Sequence, residues 1–352
     1  MTAASLPNPR STVMELLSRW GPETLAAAPV VSESQALEYC QGLATSHYEN
    51  FSVLSRLVPA ALRPDFAAVY AFCRWSDDLG DETGNDEAAR QRSTALLAWW
   101  RSLLKECFAF AQDPGSPAPR HPVFVALAAT ARRHAASGLS AEPFDDLISA
   151  FEQDQRTTRY RTWDQVLDYC TRSADPVGRI VLMLGGIRPP GLDAANAEIY
   201  RLSDRTCSAL QLINFWQDVR RDLLERDRVY IPLDDAGVTA EQLRDWMHRG
   251  SREGGQDPEA RVAFIRTLRP LVEKTRGMFE EARVLPAMIR AANSCSGTPT
   301  GAIARLVWLF WSGGMGVLER VESAGCTTLW NRPRLSGLSK AGLLLRASLM
   351  RG

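Results

Sequence analysis

Apolar residues recur at three- and four-residue spacing along almost the whole chain from Gln35 onward, the pattern of helices with one buried face. Turn signals rich in Pro, Gly and Asp separate these segments, for example at Asp113-Pro-Gly115. Strand signals are few, and the extended segment Arg228–Pro232 is too short to found a sheet. The predicted helical segments are 36–57, 62–80, 86–111, 121–137, 143–155, 163–187, 193–226, 239–248, 258–293 and 299–323. The pattern therefore predicts an all-α fold in one domain.

The two ends of the chain differ from this helical body, which we assign to residues 35–325. Residues 1–34 are rich in Pro, Ser and Ala, and we predict a flexible leader there. After Glu322 the sequence has no acidic residue, while basic residues alternate with leucines, so residues 326–352 are predicted as a basic amphipathic tail. Such a tail either lies on an anionic membrane surface or docks on the core with its charges in solvent, and the sequence leaves both open.

Composition narrows the class of protein. The 41 basic and 41 acidic side chains give a net charge of zero, which excludes nucleic-acid binding by bulk charge. The seven cysteines are scattered without a CxxC pair, so neither a disulfide framework nor a zinc ribbon is expected. A reducing compartment fits this pattern, and we therefore expect a cytoplasmic location. The most apolar segment, Leu306–Leu318, is shorter than the ~20 residues of a spanning helix, and we predict a buried core helix there.

Two groups of aspartates end strongly apolar helical segments, at Asp77-Asp78-Leu-Gly-Asp81 and at Asp218-Val-Arg-Arg-Asp222. In each group the outer aspartates are four residues apart, so they lie one turn apart on one helix face. Like charges at that spacing repel each other, and magnesium offsets such repulsion because it binds carboxylate oxygens and bridges them to phosphates. A solvated helix end with arginine partners explains one such group. Two of them, each on an apolar helix, favour a metal and diphosphate site.

A polar stripe precedes each aspartate group at helical spacing. Tyr70 and Arg74 lead to the first group, and Gln211 and Asn214 lead to the second. Buried polar groups need partners or a polar cavity, so two stripes on two helices predict a cavity inside the bundle. Taken singly, each Gln or Asn is better explained by a hydrogen bond between helices. The arginines suited to binding phosphate oxygens are Arg74, Arg220, Arg221 and Arg228.

Four motifs in this order resemble those of the squalene and phytoene synthases, the head-to-head prenyl-diphosphate enzymes of the all-α isoprenoid synthase fold. They are Ser46-His-Tyr-Glu-Asn-Phe51, Val69-Tyr-Ala-Phe-Cys-Arg-Trp-Ser-Asp-Asp-Leu-Gly-Asp81, Tyr169-Cys-Thr-Arg-Ser-Ala-Asp-Pro-Val-Gly-Arg179 and Leu210-Gln-Leu-Ile-Asn-Phe-Trp-Gln-Asp-Val-Arg-Arg-Asp222. The segment Arg228-Val-Tyr-Ile-Pro232 follows them. The resemblance implies a single-domain helical bundle with a central cavity. The first motif, the third motif and the tail Arg332-Pro-Arg-Leu335 look most like the bacterial hydroxysqualene synthase branch, which belongs to the hopanoid pathway.

The resemblance implies roles for individual residues. The magnesium-binding positions are Asp77, Asp81, Asp218 and Asp222, with Asp78 as an outer or additional ligand. Two positions lie near the diphosphate, His47 and Arg74. Five positions line the cavity: Asn50, Phe51, Tyr70, Gln211 and Asn214. The segment that closes over the diphosphate contains Arg228 and Tyr230. Tyr169 matches a tyrosine near the reacting carbons, where it either holds a water or acts as an acid and base with the diphosphate. Phe215 and Trp216 are interpreted as core packing.

The resemblance also implies a reaction. Presqualene diphosphate loses its diphosphate and water adds to the rearranged cation, which gives hydroxysqualene. Mg²⁺ in a cluster on the diphosphate is the implied cofactor, and NADPH is not expected. The implied partners are the prenyl diphosphate, the inner membrane through peripheral contact, and neighbouring enzymes of the squalene pathway, with no nucleic acid. The alternatives are a condensing synthase that joins two prenyl diphosphates and, less favoured because both aspartate groups are intact, a catalytically silent scaffold.

Overall fold

The computed structural model describes residues 11–47, 58–81, 84, 86–295, 297 and 300–349. Within these residues the chain is all-α, as predicted, and its β-type pairing is limited to an isolated bridge between Arg159 and Val229. The helices in chain order are α1 (Val13–Trp20), α2 (Glu33–His47), α3 (Arg63–Asp81), α4 (Glu87–Gln112), α5 (Pro122–Arg133), α6 (Glu142–Asp154), α7 (Trp163–Ser173), α8 (Asp175–Leu184), α9 (Ala197–Glu225), α10 (Leu233–Ala236), α11 (Ala240–Arg249), α12 (Pro258–Glu281), α13 (Leu285–Ala291), α14 (Thr300–Ser323) and α15 (Gly337–Leu349).

The chain folds into two compact units made of interleaved segments. The first unit contains residues 1–155, 180–196 and 292–303, and the second contains residues 156–179, 197–291 and 304–352. In the first unit α3 packs on α2, α4, α5 and α6. In the second unit α9 packs on α7, α12 and α13. Helices α3 and α9, which carry the two aspartate groups, are therefore the central helices of their units.

Buried aromatic rings form the core of the first unit. The rings of Trp75 and Trp100 stack with centroids 5.4 Å apart. Trp75 Nε1 donates a hydrogen bond to the Tyr39 hydroxyl at 3.0 Å, and Trp100 Nε1 donates to Ser76 Oγ at 3.0 Å. The edge of His121 meets both indoles, at 4.6 and 4.9 Å between ring centroids. Because Trp75 and Ser76 belong to α3, this core fixes the buried face of the helix just before its aspartates.

Close packing on α9 organises the second unit. The fully buried Trp216 donates its Nε1 hydrogen to Thr275 Oγ1 on α12 at 2.8 Å. A Cβ atom at Gly314 of α14 would lie 2.4 Å from Leu210 Cδ2 and 2.7 Å from Phe279 Cζ, so a larger residue there would force these side chains to shift. Trp311 Nε1, also on α14, donates to the Phe279 carbonyl at 2.7 Å. The interpretation of Trp216 as core packing is thus confirmed.

The predicted helical segments over 163–187 and 258–293 are each divided in the structure. The predicted helix over 163–187 consists of α7 and α8, which meet at Ala174. Pro176 explains the division, because proline lacks an N–H donor and is tolerated only in the first turn of a helix. The predicted helix over 258–293 is interrupted by a short 3₁₀ turn at Ala282–Val284.

The structure corrects the prediction of a flexible leader for residues 13–20. They form α1, whose Thr12 N-cap accepts a hydrogen bond from Glu15 N while Glu15 returns one to Thr12 N. This capping box satisfies two of the free N–H groups at the helix start. Val13, Leu16 and Trp20 lie on one buried face, and Trp20 is 0% exposed. The spacing of these apolar residues was a helical signal, which the surrounding Pro and Ser residues masked.

The structure also shortens the predicted basic tail. Cys326, Thr328 and Leu329 are buried, and Trp330 meets the Phe264 ring edge-on at 5.4 Å between centroids. Trp330 Nε1 further donates to the Met247 carbonyl at 3.0 Å. The tail therefore begins as part of the core of the second unit, and its exposed basic residues, among them Arg334, Lys340 and Arg346, follow that buried start. Elsewhere the division into residues 1–34, 35–325 and 326–352 stays a prediction.

Helix α14 is long and apolar enough, by length and composition alone, to cross a membrane. Half of its most apolar window is buried inside the protein, and the core helix of a soluble protein meets the same criteria. Leu306 and Leu318 are buried, as predicted for a core helix, whereas Phe310 between them is 38% exposed.

Candidate active site

The first aspartate group lies at the C-terminal end of α3 and is held by Arg74. The guanidinium binds both oxygens of Asp78, with Nε 3.0 Å from Oδ2 and Nη2 2.5 Å from Oδ1. Asp77 is more exposed, with 44% of its side chain accessible, and its Oδ2 lies 3.6 Å from Arg74 Nη1. Arg74 therefore neutralises a helix end that is negative both from its carboxylates and from the helix dipole.

The end of α3 is also fixed through its backbone. The Gly80 carbonyl accepts a hydrogen bond from Ser93 Oγ at 3.2 Å and another from Gln155 Nε2 at 3.0 Å. Carbonyl groups in the last turn of a helix have no partner within the helix, so these two side chains satisfy one of them. The carboxylates of Asp77 and Asp81 thus sit on a helix end whose position is set by neighbouring elements.

The second aspartate group, at the end of α9, is buried and paired with arginines. The side chains of Asp218 and Asp222 are 8% and 9% exposed. Arg221 Nη2 lies 3.1 Å from Asp218 Oδ2 and 3.7 Å from Asp222 Oδ1. Burial raises the pKa of Asp222 to about 6, against the attraction of Arg221, while the nearby Asp218 raises it further. The two carboxylates therefore form a site that favours positive charge.

Arg332 lies at the second aspartate group, where the sequence did not place it. Its Nη2 lies 2.8 Å from Asp218 Oδ2, and its Nε binds the other oxygen of the same carboxylate. Gln217, next to Asp218, donates its side-chain amide hydrogen to the Pro333 carbonyl. The motif Arg332-Pro-Arg-Leu335 was the available signal, but nothing in the linear sequence links it to a residue more than a hundred positions earlier. A cation that binds Asp218 has to replace or rearrange this guanidinium.

Aromatic rings cluster directly before the second aspartate group. Phe215 on α9 stacks on Tyr230 with centroids 3.7 Å apart and planes 5° apart. Tyr169 on α7 lies 6.1 Å from Phe215 and 5.9 Å from Tyr230, and Tyr160 completes the group 5.5 Å from Tyr169. Tyr169 and Tyr230, two residues predicted for the site, are therefore neighbours. Phe215 is buried, so its interpretation as core packing is confirmed, and its packing partners are the rings of this cluster.

The segment after α9 is held back against the same helix. Asp227 has a left-handed backbone with φ of 48°, which is costly for a residue with a side chain. Arg159 holds it there by donating to its carbonyl and to its carboxylate, and Arg244 binds the carboxylate as well. The turn lets Arg228 N donate to the Asp222 carbonyl at 2.9 Å. Arg228, which is 8% exposed, is thereby fixed beside the second aspartate group.

Comparison with known proteins identifies the family. The family model described as squalene/phytoene synthase matches residues 44–339. The chain belongs to the squalene/phytoene synthase family. It is 33% identical over 198 residues to a hydroxysqualene synthase of Zymomonas mobilis, a match that covers 55% of this chain and 59% of the relative. It is 30% identical over 312 residues to a 15-cis-phytoene synthase of Enterobacter agglomerans, covering 85% of this chain and 90% of the relative.

Solved structures agree with the family assignment. The chain is similar to the crystal structure of squalene synthase HpnC from Alicyclobacillus acidocaldarius, with a TM-score of 0.66 and 36% identity over 86% of this chain and 98% of that one. A ligand complex of a dehydrosqualene synthase has a TM-score of 0.64 at 20% identity, over 90% of this chain and 96% of that chain, and it supports the fold alone. The predicted isoprenoid synthase fold is therefore confirmed.

The remaining residues predicted for the site differ from one another in how exposed their side chains are. Tyr70 and Gln211 are half-buried on α3 and α9, in line with their predicted polar stripes. Asn214 is exposed, so the expectation of a buried stripe does not hold at this position, and its place along the cavity stays a prediction. His47 is the last residue of α2, and its side chain lies outside the part of the chain that the structure describes. Asn50 and Phe51 lie outside the described residues.

The carboxylates fit magnesium better than they fit a metal held by protein alone. Among the residues that the structure describes, no three His, Cys, Asp or Glu side chains converge on one point. Each aspartate group instead offers carboxylates one helical turn apart. Magnesium usually takes one or two carboxylates, keeps several waters, and completes its shell with substrate phosphates. This donor set suits a magnesium ion that arrives with a diphosphate.

Proposed function

We propose that this chain is a magnesium-dependent hydroxysqualene synthase, a lyase that converts presqualene diphosphate and water to hydroxysqualene and diphosphate. Relatives named hydroxysqualene synthase in Zymomonas mobilis and Sinorhizobium fredii, each 33% identical, support the substrate class. The aligned region spans 59% and 60% of these relatives, so the activity of the whole protein is part of the proposal.

The order of groups along α9 is the observation that carries the proposal. Phe215, Asp218 and Asp222 follow one another at spacings of three and four residues, which puts them on one helix face. A buried carboxylate pair is therefore followed along the same face by the ring cluster that contains Tyr169 and Tyr230. Carboxylates that would hold magnesium on a diphosphate, with stacked aromatic faces next to them, match a substrate with a diphosphate head and a hydrocarbon that becomes cationic.

In the proposed reaction the carbon–oxygen bond breaks and its electron pair leaves with the diphosphate. The proposed magnesium ligands are Asp77 and Asp81, with Asp78 as an outer or additional ligand, and Asp218 and Asp222. Magnesium, when bound, supplies Lewis-acid neutralisation of the leaving group. Arg221, Arg228 and Arg332 lie on or beside the second carboxylate pair and are positioned to donate hydrogen bonds to the phosphate oxygens.

The ring cluster has the properties needed to handle the cation. The cyclopropylcarbinyl cation rearranges to an allylic cation before water adds, so water has to be excluded until then. Tyr169 and Tyr230 are buried at 4% and 8% exposure, and Phe215 at 6%. An aromatic face within about 6 Å stabilises a cation by roughly 0.5–2 kcal/mol. NADPH takes no part in this reaction, because no bond is reduced.

Product analysis tests the proposal. The purified protein is given magnesium with presqualene diphosphate in one tube and farnesyl diphosphate in a second tube, both without NADPH. We expect hydroxysqualene in the first tube and unchanged farnesyl diphosphate in the second. Presqualene diphosphate or a hydrocarbon from the second tube would contradict the lyase assignment.

The second candidate function is that of a condensing synthase. It is favoured by the 15-cis-phytoene synthase of Enterobacter agglomerans, which matches over 90% of its own length. A condensing enzyme has to bind two allylic diphosphates at once, whereas the lyase binds one large substrate and one water. The second tube of the product analysis separates these two functions directly.

A catalytically silent scaffold predicts that substrate does not stabilise the protein. We expect the opposite, a rise in melting temperature when magnesium and a non-hydrolysable thio-analogue of a prenyl diphosphate are added together. Ligand that binds only the folded chain stabilises it by about 2.7 kcal/mol at a hundredfold excess over its dissociation constant. Either component alone serves as the control, and no shift with both would favour the scaffold.

We further propose a cytoplasmic protein that contacts the inner membrane peripherally and hands its product to neighbouring enzymes of the squalene pathway. The contact surface is α15, where Lys340 and Arg346 are exposed and Leu345 beside them is 62% exposed. An exposed leucine flanked by cations is suited to the surface of an anionic bilayer. The proposed product is apolar and partitions into the bilayer, so an enzyme at the membrane surface can release it there directly.

Charge reversal in α15 tests the membrane contact. The double variant Lys340→Glu/Arg346→Glu is expected to partition at least about tenfold less onto vesicles containing phosphatidylglycerol, since each basic residue near the surface contributes about 1 kcal/mol. The matched control is Arg90→Glu/Arg92→Glu, which reverses two exposed charges on α4. Equal partitioning of the α15 variant and the control in a vesicle sedimentation assay would remove the membrane contact.

A further inference from the structure

One buried carboxyl in the second unit has no part in the function described so far. Asp175 is the first residue of α8 and is 4% exposed. Its Oδ1 accepts a hydrogen bond from Ser208 Oγ on α9 at 2.8 Å. Burying a charge is costly unless it is paired, and a carboxyl kept in such a place calls for a reason beyond packing.

The surroundings of Asp175 are built tightly and hold it in one position. A Cβ atom at Gly178 would lie 2.5 Å from Ser203 Oγ and 2.6 Å from Cys207 Sγ. The start of α8 is therefore packed closely on α9 around Gly178, with Asp175 hydrogen-bonded to Ser208. A side chain fixed in this way is suited to hold a small molecule at a defined point.

The charges around Asp175 leave it able to give and take a proton. Arg179 is committed to Asp204, with its Nε 3.0 Å from Oδ1 and its Nη2 2.8 Å from Oδ2. Burial raises the pKa of Asp175 to about 7, and the charge of Asp204 adds to this, whereas the Ser208 hydrogen bond and Arg179 act in the opposite direction. Burial and Asp175 itself raise the pKa of the Cys170 and Cys207 thiols, which remain protonated. A carboxyl that titrates near neutral pH has the property of an efficient general base.

The position of Asp175 along α9 relates it to the proposed active site. Ser208, Gln211, Phe215, Asp218 and Asp222 follow at alternating spacings of three and four residues, so they share one helix face. Ser208 is about 15 Å from Asp218 along the helix axis, on the other side of the ring cluster. The carboxyl of Asp175 thus lies at the end of this face that is remote from the diphosphate-binding carboxylates. A water held there is kept apart from the leaving group.

We propose that Asp175, held by Ser208, binds the water that captures the cation and accepts its proton, an inference that rests on the proposed hydroxysqualene synthase activity. In this step a lone pair of the water oxygen forms the new carbon–oxygen bond. One water proton passes to the Asp175 carboxylate and leaves later to solvent. The diphosphate has already taken the electron pair of the broken bond, so no oxidant or reductant is needed.

The test measures diphosphate release and product composition together, with presqualene diphosphate and magnesium. In Asp175→Asn we expect diphosphate release within about threefold of wild type, because ionisation depends on the metal and the arginines. The ratio of hydroxysqualene to elimination products should fall at least about tenfold, since general base catalysis contributes about 10²-fold or more. The matched control is Asp168→Asn, which removes an exposed carboxylate from α7 and should leave the ratio unchanged.

Ser208→Ala keeps the proposal testable if Asp175→Asn fails to fold. Loss of the Ser208 hydrogen bond removes an interaction that lowers the Asp175 pKa, so the alcohol fraction should rise with pH at a higher midpoint than in wild type. An unchanged midpoint, an unchanged product ratio in Asp175→Asn, or a parallel loss of alcohol and diphosphate release would each overturn the inference. If the wild-type protein itself does not consume presqualene diphosphate, the proposed function fails and this inference fails with it.

Discussion

Asp218→Asn is expected to lower turnover of presqualene diphosphate about a thousandfold while leaving the fold intact. Asp218 is a buried proposed ligand of magnesium, and an amide cannot supply the anionic oxygen that the ion requires. Loss of metal-assisted charge neutralisation removes several kcal/mol of transition-state stabilisation, and each 1.4 kcal/mol is about tenfold in rate. We expect Asp77→Asn on α3 to have an effect of the same order.

The control for this prediction has to separate chemistry from stability. Asp218 pairs with Arg332 and Arg221, so its replacement also removes ion pairs, and melting temperature is measured alongside turnover. The matched control is Asp245→Asn, which removes an exposed carboxylate paired with Arg249 on α11. Substantial activity in both Asp77→Asn and Asp218→Asn, with the control unchanged, would refute the metal assignment.

Acid is expected to destabilise the first unit through His121. The ring is fully buried between Trp75 and Trp100, and burial lowers its pKa to about 3 from 6.5. Below pH 6.5 the unfolded chain binds a proton at this residue and the folded chain does not. The free energy of unfolding should therefore fall by about 1.4 kcal/mol for each pH unit between about 6.5 and 3, and the effect is absent above 6.5.

Comparison with His121→Phe isolates this contribution. Phenylalanine keeps an aromatic ring in the tryptophan cage but cannot titrate, so wild type should lose stability relative to this variant as pH falls from 7 to 5. The measurement is urea unfolding followed by tryptophan fluorescence, to which Trp75 and Trp100 contribute among the ten tryptophans of the chain. His248→Gln is the control, because His248 is exposed on α11. A stability difference that does not change with pH would contradict the prediction.

The helices and their packing were predictable because each carries its signal locally. The three- and four-residue apolar spacing identified α3, α9 and α14, and the aspartate groups marked the ends of α3 and α9. Errors arose where tertiary context overrides local signals. The capped α1 lies within a Pro- and Ser-rich stretch, and Pro176 divides a segment whose periodicity is otherwise continuous.

The parts of the site that could not be predicted depend on contacts between distant residues. Arg332 reaches Asp218 across more than a hundred positions, and no local pattern encodes that pairing. Asp175 precedes a proline, which by itself indicates only a helix start, and its bond to Ser208 is visible only once α8 lies on α9. The residue types in a motif can be identified from the sequence. The distant partners that shift the pKa values of those residues cannot be identified in this way.

The measurement that tests the central claim most directly is the reaction of presqualene diphosphate in ¹⁸O-labelled water with magnesium and without NADPH. A lyase that captures a carbocation with water incorporates a single labelled oxygen into hydroxysqualene and releases unlabelled diphosphate, and this is the result we predict. An unlabelled alcohol would mean that the phosphorus–oxygen bond breaks instead. Substrate that is not consumed, while farnesyl diphosphate is, would mean that the chain condenses two prenyl diphosphates, and either result would contradict the account.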